Sequence, residues 1–484
     1  MVAPNVLEDR TGDAMLDLVR WAGGLTIADI PEAVVDDTQR RLLDLVAAGL
    51  AGTQADGVPQ LLRAVADWGG RPVASVIGCP ERTSVPHAVL LNATISRALE
   101  LDDVHEKALL HPTVATAPIA LALAEQDRSI DGARLLTALV AAQEVMCRLG
   151  LAPEYHVAGP RHRPRGWSFT YQCGALGGAL VAALLRGLDE SRTLDALGNA
   201  YTALAGNQQA IKEAALAIQV QQGVTAQTAV QSADLAALGI TGPHEVLEGE
   251  YGWLSYWHGG SYDRSVVVTE LGERWESAGA SVKPYPVCRI THNTVGATLA
   301  ATAGVAPADV DRIVVHVNSQ ESWEEVVHPL ERRRRPTSSM DAQFSLPFIV
   351  AIAAVRGTVT LADLTESAIR DPRVLALADR VEPVLDPGFE AAAGRVIPMP
   401  VTVDVHLRDG AVVSRRSAHP LGHPGNPMDW AAVEAKVWDC AAWGVTPADG
   451  AVVEELVAAV RGLASEPSPG RVAGLLARAK AVSA

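Results

Sequence analysis

The chain has 484 residues, 48% hydrophobic and 20% charged, and its 56 acidic against 40 basic side chains leave a formal net charge of −16. A body this acidic repels nucleic-acid phosphates and anionic bilayer surfaces, so neither is an expected partner, and the apolar fraction argues against disorder. The length exceeds what one core usually supports, which predicts two domains.

Five cysteines (Cys79, Cys147, Cys173, Cys288 and Cys440) stand singly with no C-x-x-C pair, so neither a disulfide framework nor a zinc knuckle is indicated. The opening MVAPNVLEDRTGD has no apolar h-region, and no apolar run reaches membrane length, which points to a cytoplasmic protein.

From about residue 13 to 275 the apolar spacing is helical. DDTQRRLLDLVAAGLAGT repeats apolar residues at i, i+3, i+4 after an acidic start. A short β-like piece, PVASVIG (72–78), ends in a Cys-Pro turn. Helices are predicted over 85–102, 112–126, 130–150, 170–188 and 190–216, interrupted by an irregular basic loop at 151–168. The Ala/Gln-rich stretch that follows has A-x-x-x-A spacing suited to close packing, with amides on a buried face. An aromatic and glycine cluster, YGWLSYWHGGSY, closes the helical part.

Near 276 the composition shifts to β-branched, alternating runs at 310–318 and 400–420, the latter with Asp409-Gly410 as a hairpin turn. Helices are predicted among them at 291–304, 342–356, 361–370 and 373–379, and ERRRRP (331–336) reads as a solvated charged face. From 427 the pattern is helical again and returns to the first domain. The fold class is therefore mainly α: a large all-α domain built from 1–275 plus 419–484, with a smaller α+β domain over 276–418 inserted in it.

Chemistry concentrates in RALELDDVHEKALLHPTVATAPI (97–119), where Glu100, Asp102, Asp103, His105 and His111 fall between two apolar runs. Pro112 suits a helix's first turn, which sets His111 at the helix entry beside free N–H groups, a place for a substrate carboxylate. The blander reading is capping and solvation. A metal site is the weaker alternative. The two histidines are six apart, about 600° around a helix, and no spaced partner completes a shell, so no metal and no cofactor are expected. A second constellation, VKPYPVCRITHN (282–293), sets Lys283, Tyr285, Arg289 and His292 at a strand-to-helix junction as an anion cradle. Dinucleotide, Walker and G-x-S-x-G signatures are absent.

Four ordered blocks carry a resemblance. The 97–119 stretch, ITGPHEVLEGEYGW (240–253), KPYPVCRITHNTVGA, and AQFSLPFIVAIAAVRGTVTLADL (342–364) with the DPRVLALADRV after it resemble the marks of the MmgE/PrpD family. The resemblance implies that the α+β domain is a lid over a cleft, that the protein is a homodimer, and that it does metal-free acid/base chemistry on small polycarboxylates. It matches His111 to the family's active-site histidine, Asp102 and Asp103 to its Asp pair, and Lys283 to the lid lysine. Glu100 stands in place of a first Asp.

Two departures follow from the same comparison. Ser168 replaces a histidine, while Ile218 and Gln221 replace a lysine and a histidine. Lys212, His156 and His162 are the candidate substitutes. With Tyr171, Phe169 and Trp167 near Ile218, the pocket is expected to take a less charged, more apolar small-molecule substrate. The implied function is a lyase or isomerase of dehydratase, decarboxylase or epimerase type. His111 is the general acid/base, Asp102 its partner, and Lys283 with Arg289 the stabilisers of enolate charge. Glu100, Asp103, His105, Ser168, Tyr171, Ile218 and His292 are the remaining expected substrate contacts. Alternatives are a biosynthetic catalyst of cyclisation or rearrangement, and a catalytically silent binding protein.

Overall fold

Apolar helix faces from both ends of the chain meet in one core. The computed structural model describes residues 12–153, 166–317, 319–386 and 400–482. The first half forms α1 (Ala14–Gly24), α2 (Glu32–Gly52), α3 (Val58–Trp68), a hairpin of β1 (Ala74–Val76) and β2 (Cys79–Thr83), and α4 (Val85–Arg97). It continues with α5 (Pro112–Gln126), α6 (Gly132–Leu151), α7 (Phe169–Arg186), α8 (Glu190–Thr202), α9 (Gln209–Glu213) and α10 (Ala217–Ala237). The helices Trp430–Ala442, Gly450–Arg461 and Arg471–Ala479 rejoin them, and Val433, Val437, Leu456 and Leu476 share a core with Leu42, Leu91 and Leu136.

Helix α5 runs through the middle, against α4, α6 and α7. Every residue from Pro112 to Ala124 is buried, which accounts for its lack of a polar stripe. Helix α10 packs on α4, α7 and α8. A Cβ at Gly223 would stand 2.2 Å from Thr94 Oγ1, so only glycine admits this closeness to α4.

A second core, from Val287 to Val405, backs a four-stranded sheet of order β4-β3-β5-β6. Its strands are β3 (Val310–Val317), β4 (Val381–Leu385), β5 (Val401–Leu407) and β6 (Val412–Ser417). Ile313, Val315 and Val317 alternate inward with Val401, Val403 and Val405, facing helices His292–Thr302 and Leu346–Arg356.

The structure departs from the sequence expectations in particular places. The Cys79-Pro80 step lies inside β2, and the turn falls at Gly78, with φ +71°. The expected 190–216 helix ends at Thr202, and the break before α9 holds Gly206, whose φ of +97° and close approach to Tyr171 suit only glycine. The 361–370 helix is two short 3-10 turns. Strand β4 escapes the pattern because Pro383 interrupts it, which an edge strand tolerates.

The arginine block is only in part a solvated face, with Glu331 and Arg335 exposed and the arginines between them turned to partners. Arg333 is buried against Asp341 and donates to the Glu325 carbonyl, Arg334 donates to the Val381 carbonyl, and Arg332 and Arg335 pair with Asp341 and Asp379. Its charge ties the lid together. His156 and His162 lie outside the described residues. No described helix is long and apolar enough to cross a membrane.

Candidate active site

Three chain segments cross where the two domains meet. Val104 and Ser281 exchange backbone hydrogen bonds of 2.9 and 2.7 Å, and Val282 N donates to the Gly422 carbonyl at 3.0 Å. Gly422 has φ +83°, and a Cβ there would lie 2.1 Å from the Val282 carbonyl oxygen, so the crossing needs glycine. This stitching sets the loop after α4 beside the segment that delivers Lys283, although the two are 183 positions apart.

Four charged groups and one imidazole converge there. Lys283 Nζ is 2.8 Å from Glu100 Oε2 and 4.0 Å from Asp102 Oδ1. Arg97 pairs with Glu100 and reaches Asp102 Oδ1 at 3.2 Å. Glu100 holds φ +55°, a left-handed conformation that costs a non-glycine residue about 1–2 kcal/mol and that its two cationic partners offset. His111 is the N-cap of α5, with Pro112 in its first turn as expected. Its Nδ1 lies 2.7 Å from the Asp103 carbonyl and 2.9 Å from Asp102 Oδ2. A carbonyl only accepts, so Nδ1 carries the proton and Nε2 is the basic nitrogen of the neutral ring.

Burial pushes the Asp102 carboxyl up, but the charges of Arg97, His111 and Lys283 outweigh it and hold Asp102 well below the usual carboxylate range. A carboxyl whose folded pKa is depressed contributes stability above its unfolded value of about 3.9 and loses it as pH falls towards the folded value. Urea midpoints measured from pH 6 down to 2 should therefore fall less steeply in Asp102→Asn than in the parent chain.

Several expected contacts serve the scaffold instead. Asp103 accepts from Thr113 N at 3.1 Å, from Thr113 Oγ1 at 2.6 Å and from Arg41 at 3.3 Å. It thus occupies the helix-entry amide that the sequence reading offered to a substrate carboxylate. His105 donates from Nε2 to the Glu276 carbonyl at 2.9 Å and accepts at Nδ1 from Ala108 N, so both nitrogens are committed and burial lowers its pKa. His292 is buried between Arg289 and the Val287 carbonyl. Burial, Arg289 and Lys283 push it well below its ordinary value, so it adds no positive charge to the cradle.

The cleft itself has a volume of about 130 Å³. His111, Arg97, Glu100, Ser168, Tyr171 and Ile218 line it from the helical side, and Lys283, Cys288, Arg289 and Glu325 line it from the lid. Tyr171 donates to the Ile218 carbonyl at 3.0 Å, and the two pack with Ala210 and Met340 as a small apolar cluster between the domains.

Phe169 and Trp167 are not among the lining residues. Phe169 stacks on His258, and Trp167 meets Trp257 edge-on. Lys212 does not replace the missing cation, since its ammonium donates to the Glu324 carbonyl at 2.8 Å. Gln221 receives Asn207 N at 2.8 Å.

The sequence reading missed Arg97 and Glu106, both inside the 97–119 stretch, because neither forms a motif. Glu106 accepts from Arg289 Nε at 2.8 Å. Glu325 and Arg41 gave no signal at all. Among the described residues no group of three or more His, Cys, Asp or Glu is arranged to hold a metal ion. What the cleft offers is an imidazole for proton transfer, facing an ammonium and a guanidinium able to stabilise developing negative charge.

The chain is similar over 430 residues to two curated proteins. It is 27% identical to the cis-aconitate decarboxylase-like protein oryM of Aspergillus oryzae, over 85% of this chain and 87% of that one. It is 25% identical to the cis-aconitate decarboxylase of Homo sapiens, over 85% and 84% respectively. Residues 16–264 match the MmgE/PrpD N-terminal domain and residues 285–461 the MmgE/PrpD C-terminal domain, so the two halves that build the cleft are the two halves of one known architecture, and the chain belongs to the MmgE/PrpD family.

Proposed function

We propose that the protein is a metal-independent lyase or isomerase that moves a proton next to a carboxylate or carbonyl, on a substrate carrying fewer negative charges than cis-aconitate or methylcitrate. The relatives' names support a decarboxylase-type lyase among these. His111 Nε2 takes or gives the proton, and Asp102 beside Nδ1 favours the imidazolium formed in between. Lys283 and Arg289 lie across the cleft where enolate charge develops, and lid closure excludes water.

One observation carries the substrate reading: among the described residues, each of the three cations lining the cleft already faces a carboxylate. Arg97 meets Glu100 and Asp102, Lys283 meets Glu100, and Arg289 meets Glu106. A tricarboxylate entering such a site finds no uncompensated positive charge among the described lining residues. Leu109, Ile211, Ile218, Ile290 and Phe344 present an apolar wall instead.

Turnover measured over a panel of unsaturated and hydroxy acids should rise from tri- to monocarboxylates with alkyl chains, and ordinary enzyme rates on cis-aconitate or methylcitrate would refute the reading. Ile218→Lys is expected to tighten cis-aconitate binding, read by calorimetry, by the roughly 1.5–3 kcal/mol of one charge-assisted hydrogen bond, about ten- to hundredfold.

A further inference from the structure

Lys436 belongs to the C-terminal helix Trp430–Ala442, yet its side chain ends beneath the site loop. Its ammonium pairs with Asp44 of α2 and donates to the Leu101 carbonyl at 2.7 Å. Lys436, Asp44 and Leu101 are all buried. Leu101 stands between Glu100, with its left-handed backbone, and Asp102, whose carboxylate touches the His111 ring. The peptide that carries Asp102 therefore has a strained residue on one side, and the Lys436 ammonium fixes its carbonyl.

We propose that Lys436 is a positioning residue for the proton-transferring pair: a clamp from the far end of the chain that fixes the Leu101–Asp102 peptide and so holds the Asp102 carboxylate against His111. The proposal rests on the reading of His111 and Asp102 as that pair. Its geometry is independent of the substrate.

A buried ion pair that merely joins α2 to the C-terminal helix is the competing role, and charge bookkeeping separates the two. Removing one member of a buried pair strands the other charge, whereas removing both does not. Burial raises the Asp44 carboxyl, Lys436 lowers it, and Asp103 and Asp102 raise it, which together leave it at about 7. Asp44→Asn removes the carboxylate but leaves the Lys436 ammonium on the Leu101 carbonyl, so it isolates the loss of the ion pair from the loss of the clamp. The double variant Asp44→Asn/Lys436→Met keeps the interface uncharged and deletes the donor to Leu101. Asp44→Asn alone keeps that donor.

The test follows carbethoxylation of His111 by diethyl pyrocarbonate over a pH series, read by peptide mass spectrometry on the full chain, with partly exposed His244 as internal reference. In the double variant the pH profile of His111 carbethoxylation should move to lower pH relative to that of His244, because a displaced carboxylate no longer favours the imidazolium. Asp44→Asn alone and the His244 reference should keep the parent midpoints. Asp44→Asn/Lys436→Gln, whose amide is too short to reach the carbonyl, carries the same expectation should the methionine variant not fold. An unchanged His111 midpoint in a folded double variant overturns the proposal. Because no turnover is measured, this outcome is separate from any failure of the lyase reading.

Discussion

His111→Ala is expected to lower turnover by about 10²–10⁴-fold, the range that a positioned general acid/base contributes, in a protein that still folds. Folding should survive because the ring lies at the cleft, 13% exposed, its contacts at Nδ1 are the Asp103 carbonyl and Asp102, and Asp102 keeps Arg97 as a partner. The other two imidazoles expected at the site are not free to replace it. His105 and His292 have both ring nitrogens engaged, and Ser168 stands where the family resemblance would have supplied a second histidine. The matching check is isotope exchange: wash-in of solvent deuterium at the substrate's α-carbon should disappear together with turnover. Were both retained, proton transfer would not be what the cleft does. Chemistry driven by cleft shape would then be the better reading, in which Ile218→Phe rather than His111→Ala is the damaging change.

The parts of this site legible in the sequence are those whose partners lie close along the chain. Pro112 marks the helix start, and the spacing around it places His111 at the entry and the carboxylates in the loop before. Lys283 is legible only as one member of a cationic cluster, because its partner Glu100 lies far away in sequence and meets it through a backbone crossing that no periodicity encodes.

The same limit explains the misassignments. Asp103, His105 and His292 look like reactive groups in a string of letters. What removes them from the chemistry is a set of backbone carbonyls, amides and a buried arginine that only the folded chain assembles. The arginine block misleads for the opposite reason. A run of like charge is usually solvated, but here acidic and carbonyl partners from elsewhere in the lid converge on it. Most helical elements read well because their period is local; of the two strands missed, β4 is interrupted by Pro383 and β2 opens on the Cys79-Pro80 step that reads as a turn.

Arg41 is the clearest case of a decisive residue with no local mark, sitting in α2 as an ordinary member of DDTQRRLL. Arg41→Met is expected to destabilise the chain by about 3–5 kcal/mol, the cost of stranding one member of a buried pair. The side chain is fully buried and pairs with Asp37 and Asp103 while donating to Thr113 and Gln143, so its loss leaves Asp103 charged in the core beneath the active-site loop. Burial already raises the Asp103 carboxyl, and Arg41 is the main charge lowering it. Without Arg41 the folded-state pKa rises further above the unfolded value. The cost of the substitution should then be largest at neutral pH and shrink as pH falls and the raised folded-state carboxyl takes up its proton. Urea unfolding at pH 7.5 and pH 5 checks the sign. In the double variant Arg41→Met/Asp103→Asn no buried charge is stranded, since Asp37 is part-exposed and keeps Arg40 as a partner, so most of the lost stability should return. Equal destabilisation of the single and double variants would assign the cost to packing around the guanidinium, and the charge argument for this foundation of the site would fail with it.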